Sequence, residues 1–377
     1  MITRYLDQQV RSRLYQGKAI ILFGARQTGK TTLLMNLVSE LKDVTWLNGD
    51  DLQVRSFFEQ GSIERFKAAF AKTKVLVIDE AQYIADIGLR IKLITDHLKG
   101  IQVIATGSSA FELANQINEP MTGRKWEFHL FPLSFSEMKQ HHGLVSELSL
   151  IPHRLVYGYY PEIVTHPGEE KDILKSLTDS YLFKDILQWE RIRKPDKLLK
   201  LLQALSFQIG NEVSYSEIGQ IADLDPKTVE NYILLLEQTH VIFRLGSFSK
   251  NLRNELKMSR KIYFYDTGIR NALISNFQIP ELRQDIGALW ENFLIAERKK
   301  WIQESGLWCN TYFWRTHDQQ EIDYIEEKDG RLFAFEFKWS PAARARFSKT
   351  FTRAYPENTI EVISRDNFDS FVSGLEQ

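Results

Sequence analysis

Cysteine is nearly absent from this chain, since Cys309 is the single one in 377 residues. One cysteine excludes an internal disulfide framework and a cysteine-rich zinc site, which agrees with a reducing cytoplasm. Long hydrophobic runs are also absent. The longest stretch without Asp, Glu, Lys or Arg runs from Gly100 to Phe111 and is partly polar, whereas a membrane span needs roughly 18 apolar residues. We therefore expect a cytoplasmic protein without a membrane partner.

A net charge of either sign is lacking as well, because 48 basic residues balance 49 acidic ones. Any surface that binds nucleic acid must therefore be local. No internal repeat is found, and 43% hydrophobic with 26% charged residues is usual for a folded chain. At about 150 residues per domain the length predicts two or three domains. The patterns below divide the chain into four segments: 1–140, 141–195, 196–250 and 251–377.

Short apolar runs alternate with amphipathic stretches between Ala19 and Leu133. The apolar runs are AIILF, VTWLN, VLVID, IQVIATG and WEFHLFPL. Strand-length runs separated by helical periods are typical of a parallel α/β sheet. We therefore predict the α/β fold class, with a parallel-sheet core in residues 1–140 and a helical segment at 141–195. A winged helix-turn-helix and a C-terminal α/β domain are predicted to follow.

A phosphate-binding loop follows the first predicted strand. Residues 24–31, GARQTGKT, satisfy the pattern G-x-x-x-x-G-K-[ST] between a strand and a helix. Glycines let backbone N–H groups turn toward phosphates, Lys30 reaches the terminal phosphates, and the Thr31 hydroxyl takes a Mg²⁺ position. ATP or ADP with Mg²⁺ is therefore the expected ligand. The residues predicted to bind it are Gly24, Ala25, Arg26, Gln27, Thr28, Gly29, Lys30, Thr31 and Thr32.

Two carboxylates end the predicted strand VLVID. Asp79 and Glu80 follow a buried apolar run, where a carboxylate pair is costly unless it meets a cation. Downstream of a phosphate-binding loop, Asp79 can hold Mg²⁺ and Glu80 can polarise the attacking water. An acidic pair that caps the next helix is the alternative interpretation.

Polar residues also lie at the end of the fourth predicted strand and just before the fifth. Thr106 and Ser108 lie at the carboxyl end of IQVIATG, the end at which open α/β folds bind ligands. They either act beside the attacking water or cap the following helix. Arg124 precedes WEFHLFPL and either reaches a phosphate bound by a neighbouring subunit or is a solvated surface residue.

The pattern over residues 198–245 predicts three helices and a short hairpin, an order that resembles a winged helix-turn-helix. Such a motif places one helix in the major groove of DNA. On that helix Lys227, Thr228 and Asn231 can contact DNA, whereas Asp225 and Glu230 repel phosphate. Packing or protein contact is therefore an equal alternative for this segment.

The segment from Pro341 to Tyr355 contains four positive charges and no acidic residue. Such a stripe can neutralise several phosphates irrespective of sequence. A solvated helix face is the alternative. The predicted DNA contacts in this segment are Arg344, Arg346, Lys349 and Arg353.

The last hundred residues also place Asp323 and Glu336 on consecutive predicted strands. Glu336 and Lys338 share one face of their strand, because side chains alternate along a strand. Two carboxylates and a lysine can bind Mg²⁺ and orient a water for phosphodiester attack. The pattern resembles the PD-(D/E)XK nuclease core, and this resemblance implies a further glutamate on the preceding helix, Glu291.

Motifs over nearly the whole chain resemble the bacterial and archaeal AAA+ ATPases that carry a C-terminal domain of unknown function. The resemblance implies that the segment from Thr106 to Ser108 is sensor 1 and that Arg124 is the arginine finger of an oligomer. We find no second sensor in the helical lid that it implies at 141–195. The motifs are GARQTGKTT, VLVIDEAQ, ATGSS, MTGR, PLSFSE and GYYPE, and later KIYFYDTGI, WENF and EIDYI followed by EFK.

We therefore expect an ATP-hydrolysing homo-oligomer that acts on or with DNA. Two other functions remain open at this point. One is a nucleotide-switched signalling or scaffold protein whose winged helix and C-terminal fold bind other proteins. The other is a metal-dependent nuclease gated by ATP. Stimulation of ATP turnover by nucleic acid separates the scaffold protein from the other two functions. Metal-dependent cleavage of DNA identifies the nuclease.

Overall fold

The computed structural model describes residues 2–107, 121–181, 195–249, 260–316, 318–342 and 347–374. The chain forms two compact units, one of Met1–Leu133 with Gln238–His240 and one of Ser134–Glu237 with Val241–Gln377. Three of the predicted site residues, Ser108, Arg344 and Arg346, lie outside the described residues. The division into four domains stays a prediction.

A sheet of five parallel strands forms the centre of the first unit. The strands are β1 (Ala19–Phe23), β2 (Val44–Asn48), β3 (Val75–Asp79), β4 (Gln102–Gly107) and β5 (Lys125–His129). Their order across the sheet is β2-β3-β4-β1-β5. The predicted parallel α/β core is therefore confirmed, and the carboxyl ends of all five strands meet at one edge.

Helices cover both faces of this sheet. They are α1 (Tyr5–Ser12), α2 (Lys30–Val38), α3 (Leu52–Glu59), α4 (Ile63–Ala69) and α5 (Ile87–His97). Ile21 and Ile78 belong to one buried core, whereas Ile20 and Val77 belong to the other. Because successive side chains of a strand point to opposite faces, a strand covered on both sides needs a continuous apolar run.

The second unit begins with helices. These are α6 (Phe135–His142), α7 (Leu144–Tyr157), α8 (Pro161–Thr165), α9 (Glu170–Ser176), α10 (Pro195–Phe207), α11 (Tyr215–Ala222) and α12 (Pro226–Gln238), the last of which ends at the boundary with the first unit. Side-chain caps fix the starts of two of them. The Ser214 hydroxyl accepts the backbone N–H of Glu217 at 3.4 Å, and the Asp225 carboxylate accepts that of Thr228 at 3.0 Å.

Seven described strands of the second unit form one mixed sheet. They are β6 (Glu212–Val213), β7 (Ile242–Ser247), β8 (Arg260–Phe264), β9 (Asn310–Arg315), β10 (Glu321–Lys328), β11 (Arg331–Phe337) and β12 (Asn358–Ile363). Their order is β12-β11-β10-β9-β7-β8-β6. Strand β7 is parallel to β9 and β11 is parallel to β12, while the other neighbours are antiparallel.

The remaining described α-helices are α13 (Thr267–Leu273), α14 (Ile286–Ser305), α15 (Lys349–Ala354) and α16 (Phe368–Ser373). Helix α14 has 20 residues and buries charged side chains as ion pairs. Arg298 pairs with Glu326 at 2.6 Å, and Lys300 pairs with Glu297 at 2.6 Å. No helix within the described ranges is long and apolar enough to cross a membrane.

Candidate functional site

The predicted phosphate-binding loop connects the end of β1 to the start of α2. Gln27 and Gly29 both have left-handed backbones, with φ of 61° and 93°, which turn the loop around the amino terminus of the helix. Gly24 can have no side chain, because a Cβ atom there would lie 2.3 Å from the Leu130 carbonyl oxygen. The sequence pattern therefore corresponds to a compact backbone turn at the carboxyl edge of the sheet.

Lys30 is buried within this loop. Its Nζ donates hydrogen bonds to the carbonyl oxygens of Gly24 and Ala25, each at 2.9 Å. Thr28 closes the same turn, since its Oγ1 donates to the Ala25 carbonyl at 2.8 Å. The ammonium group therefore lies among the loop residues that are predicted to surround the phosphates.

Arg4 holds the loop from outside and was not predicted from the sequence. One guanidinium nitrogen donates to the Thr28 carbonyl oxygen at 2.8 Å, and the other terminal nitrogen donates to that of Phe131 at 2.7 Å. Arg4 is only 8% exposed. A charge-assisted pair of hydrogen bonds thus joins the loop to the chain that follows β5. No local pattern around Arg4 indicates this contact.

Asp79 connects the loop to the neighbouring strands. Thr31 Oγ1 donates to Asp79 Oδ2 at 3.0 Å, and Thr106 Oγ1 donates to Asp79 Oδ1 at 2.5 Å. The Thr106 hydroxyl also accepts the backbone N–H of Glu80 at 3.0 Å. Four residues from the ends of β3 and β4 and the start of α2 are therefore joined in one hydrogen-bonded chain.

The donor set at Thr31 and Asp79 fits a magnesium ion. A hydroxyl and a carboxylate are hard oxygen ligands, which Mg²⁺ prefers, and Mg²⁺ usually takes its other positions from water and substrate phosphates. Asp79 is 5% exposed. No group of three or more His, Cys, Asp and Glu side chains in the described parts of the chain is arranged to hold a metal ion, so protein ligands alone would be too few here.

Glu80 has a strained backbone and a fixed side chain. Its φ of 50° is left-handed, a conformation that is costly for a residue with a side chain and clusters at functional sites. Gln82 Nε2 donates to Glu80 Oε2 at 2.6 Å. Gly49 makes room for this backbone, because a Cβ atom at Gly49 would lie 2.3 Å from the Glu80 carbonyl oxygen.

Gly49 and Gln82 were both missed by sequence reasoning. Gln82 stands inside the motif VLVIDEAQ, where it could have been identified as a polar neighbour of the carboxylate pair. Gly49 follows β2 and donates its backbone N–H to the Asp79 carbonyl at 2.8 Å. The importance of that glycine depends on the close approach of β2 and β3, which the sequence alone does not give.

Tyr83 lies between two arginines beside the loop. Arg26, a predicted nucleotide-binding residue, donates to the Tyr83 hydroxyl at 2.6 Å. The Arg55 guanidinium lies 5.1 Å from the centre of the Tyr83 ring, within the range of a cation–π contact. Two positive charges are thus held close to the carboxyl edge, where a polyphosphate would place negative charge.

The predicted carboxylate site of the second unit also comes together. Asp323 Oδ2 accepts the backbone N–H of Phe337 at 2.8 Å, and Lys338 pairs with Glu336 at 3.1 Å. Burial, reinforced by the negative charge of Asp323, raises the pKa of Glu336 to about 7. Burial likewise raises the pKa of Asp323. Such shifts mark candidate functional sites.

Glu291 contributes to the same electrostatic group from α14. Burial raises its pKa to about 7, although the nearby Lys261 opposes the shift. Its Oε1 accepts hydrogen bonds from Tyr263 at 2.5 Å and from Lys261 at 3.1 Å. Both donors bind the same carboxylate oxygen, and the described chain contains no group of three His, Cys, Asp or Glu side chains arranged to hold a metal ion.

The described residues among the predicted DNA contacts lie on two separate helices. Lys227 and Asn231 are exposed on α12, whereas the Thr228 hydroxyl donates to Asp225 at 2.5 Å as part of the helix cap. Lys349 and Arg353 are exposed on α15, and their spacing of four puts them on one helix face. Arg344 and Arg346 lie outside the described residues.

Comparison with known families divides the chain into three regions. Residues 16–139 match the family model described as AAA domain. Residues 148–279 and 286–371 match two domains of unknown function, DUF8612 and DUF4143. These matches support an AAA-type ATPase with a C-terminal DUF4143 domain, as the sequence motifs predict.

The similarity to known relatives extends beyond the AAA domain. An uncharacterized protein of Methanocaldococcus jannaschii is 22% identical over 346 residues, which cover 85% of this chain and 75% of that protein. An uncharacterized protein of Mycobacterium tuberculosis is 23% identical over 335 residues, which cover 88% of this chain and 72% of that protein. A solved Walker-type ATPase of Pyrococcus abyssi has a TM-score of 0.51 at 15% identity, covering 73% of this chain and 96% of that one. The last likeness shows a shared fold.

Arg124 lies at the opposite edge of the AAA domain's sheet from the phosphate-binding loop. Its carbonyl oxygen accepts the backbone N–H of Ala19 at 2.9 Å, at the amino end of β1. Its Nε donates to Asp96 at 2.8 Å, and its side chain is 44% exposed. The five residues of β1 separate it from the loop by about 16 Å, so Arg124 does not join the site of its own chain.

Proposed function

We propose that the protein binds ATP with Mg²⁺ at residues 24–32 and hydrolyses it, as a homo-oligomer that acts on or with DNA. One observation carries the hydrolytic part of this proposal. Asp79 accepts hydrogen bonds from both Thr31 and Thr106, and Thr106 accepts the backbone N–H of Glu80. The groups that phosphoryl transfer to water requires therefore meet beside the phosphate-binding loop.

Each residue has a distinct role in this reaction. The loop's backbone N–H groups and Lys30 bind the phosphates and offset their negative charge. Thr31 and Asp79 hold Mg²⁺, which neutralises the charge that develops on the transferred phosphoryl group. Glu80 orients the attacking water and accepts its proton. Thr106 fixes the position of Asp79 relative to Glu80, because its single hydroxyl contacts the side chain of one and the backbone N–H of the other.

Two variants separate binding from hydrolysis. Lys30→Ala should abolish nucleotide binding, since the phosphates lose their cationic partner. Glu80→Gln should bind ATP as the wild type does and stall turnover, since only the water-orienting carboxylate is removed. Affinity is measured with a fluorescent ATP analogue, and turnover by phosphate release. Glu64→Gln, an exposed residue of α4, controls for the removal of one carboxylate. Equal loss of affinity in both variants would refute the division of roles.

The DNA part of the proposal rests on exposed cations and on the order of elements after residue 195. Helices α10, α11 and α12 precede the antiparallel pair of β7 and β8, which supports a winged helix-turn-helix. Lys349 and Arg353 on α15 add an electrostatic contact that carries no base code. ATP turnover should rise with single-stranded, duplex or branched DNA, and this rise should fall steeply with salt. Turnover unaffected by any of these would favour the scaffold function.

A second candidate function is DNA cleavage by the C-terminal domain. The convergence of Asp323, Glu336 and Lys338 favours it, because two buried carboxylates and a lysine lie together there and burial raises the pKa of both carboxylates. Mg²⁺ or Mn²⁺ should then support cleavage that is abolished in Glu336→Ala and kept in Glu357→Ala, an exposed residue of the same unit. Absence of cleavage with every divalent ion would leave this domain a binding module.

A further inference from the structure

The two edges of the AAA domain's parallel sheet differ in charge. The carboxyl edge, where the phosphate-binding loop lies, carries both signs. It holds Asp50, Asp51, Asp79 and Glu80 together with Arg26, Lys30 and Arg55. At the amino edge, by contrast, a basic residue lies within three positions of the start of every strand. These residues are Lys18, Lys42, Lys74, Lys99 and Arg124.

Backbone and side-chain hydrogen bonds make these strand entries direct neighbours. The Lys74 N–H donates to the Asp43 carbonyl at 2.8 Å, and the Gln102 N–H donates to the Lys74 carbonyl at 2.8 Å. Gln102 Nε2 then donates to the Lys18 carbonyl at 2.9 Å. The basic residues therefore form one continuous band. Four strand spacings of about 4.8 Å give this band a width of about 19 Å.

An open hollow of about 530 Å³ lies within the band, beside the residues that lead into β2, β3 and β4. Asp43 is the one acidic residue among those that line it. The lysines that line it, which we call the lysine hollow, are Lys67, Lys72, Lys74 and Lys99. All four are exposed, and none of them forms an ion pair with another described residue.

An aromatic residue extends the band beyond the hollow. The Trp126 ring carries two cations, Arg13 and Lys18, each 4.3 Å from its centre. The acidic residues near this end are already paired, Asp96 with Arg124 and Glu127 with Lys125. Arg124 and Lys125 are thereby neutralised, so the uncompensated positive charge of the amino edge lies in the lysine hollow and on the Trp126 ring.

We propose that this amino edge binds the phosphate backbone of DNA, with the lysine hollow as its main contact. This inference rests on the proposed function and names the surface of the AAA domain that would meet DNA. Unpaired, flexible lysines suit a polyanion, because phosphate contacts position a duplex without reading its bases. Lysine is depleted at protein–protein interfaces, so a second protein fits this surface less well. The band spans about five to six base pairs at 3.4 Å each.

The test compares two fourfold variants at Lys67, Lys72, Lys74 and Lys99 with a fourfold control elsewhere. Substitution of all four by Gln should weaken binding to duplexes of unrelated sequence equally. It should also reduce the slope of log affinity against log salt by about 0.9 for each phosphate that is no longer neutralised, up to about 3.6 in all. Substitution by Arg should retain the affinity and the slope. A charge-matched control replaces Lys171, Lys175, Lys200 and Lys328, exposed residues of the second unit, by Gln.

The outcomes separate this inference from the proposed function. Folding of each variant is checked by its urea midpoint before binding is measured. If wild type binds DNA and the hollow variant binds it with the same affinity and slope, the inference is wrong while DNA binding itself stands. If no DNA binds to wild type, the DNA part of the proposed function fails first. If the Gln variant no longer self-associates and keeps DNA binding, the edge contacts a second copy of the chain and the inference is overturned.

Discussion

Gln82 donates a hydrogen bond from its side-chain amide to the carboxylate of Glu80, at 2.6 Å. The two residues lie on either side of Ala81, and Gln82 is only 6% exposed. A buried amide can rotate little, so it fixes one oxygen of the carboxylate and leaves the other to meet water. The proposed water-orienting group is therefore held in one direction by the residue two positions after it.

Replacement of Gln82 by Leu, which has a similar volume and no donor, should lower ATP turnover about tenfold with little change in ATP affinity. That factor corresponds to roughly 1.4 kcal/mol of weakened orientation. The decisive readout is a double-mutant cycle, in which Gln82→Leu should have no further effect in a Glu80→Gln background. A merely structural residue would lower turnover equally in both backgrounds. Gln82→Glu tests whether any polar group suffices.

Thr106 should be needed for both stability and turnover. Its buried hydroxyl donates to Asp79 and accepts from the Glu80 backbone, so Thr106→Val leaves two polar groups without this partner. The free energy of unfolding should fall by about 1–3 kcal/mol. Turnover should also fall, because the backbone of Glu80 is no longer held in place. Thr106→Ser keeps the hydroxyl and should retain most of both. Urea unfolding and phosphate release measure the two effects, and equal turnover in Val and Ser variants would contradict the role.

The phosphate-binding loop and the strands of the AAA domain were predictable because their signals are local. A strand covered on both faces must be apolar throughout, and β1 and β3 are recognised by that property. The pairing of Thr31 with Asp79 also follows, since the carboxyl ends of parallel strands share an edge. Gly49 is different, because its lack of a side chain is required only by the carbonyl of Glu80 on another strand.

Side-chain contacts between distant segments were the main part that the sequence did not reveal. Glu291 stays a predicted member of the carboxylate site, and its carboxylate accepts hydrogen bonds from Lys261 and Tyr263, about thirty residues earlier. Nothing in the strand pattern around residues 260–264 indicates this pairing. The lysine hollow was missed for a similar reason, since its members are spread over more than thirty positions and meet only when the strands pair.

Arg124 should act on the nucleotide of a neighbouring subunit. It lies at the amino edge of the sheet and pairs with Asp96, away from its own phosphate-binding loop. Arg124→Ala should bind ATP normally and hydrolyse it 10³- to 10⁵-fold more slowly, the usual worth of such a residue, to order of magnitude. Mixing Arg124→Ala with Glu80→Gln should restore part of the activity through mixed interfaces. Turnover that is independent of protein concentration in a strictly monomeric sample would disprove action in trans.

His129 and His240 form a pair at the carboxyl end of β5. His129 Nδ1 lies 2.8 Å from His240 Nε2, and the His129 ring lies 5.5 Å from that of Phe23. Burial lowers the pKa of His129 below its usual 6.5, with Glu127 opposing the shift and Lys125 adding to it. Protonation of both rings would place two positive charges in contact, so the folded protein favours the pair with at least one neutral ring.

The AAA domain should therefore lose stability as pH falls below about 6.5. Below that pH, His129 takes up a proton in the unfolded chain and not in the folded one. Stability declines with falling pH wherever the unfolded state binds more protons than the folded state. Each unit by which the pKa is lowered contributes about 1.4 kcal/mol at most. Urea midpoints at pH 7.5, 6.5 and 5.5 measure the decline, which His129→Gln should reduce. His97→Gln, which removes an exposed histidine of α5, is the matched control. An identical pH dependence in wild type and His129→Gln would show that this histidine pair does not set the acid limit of the domain.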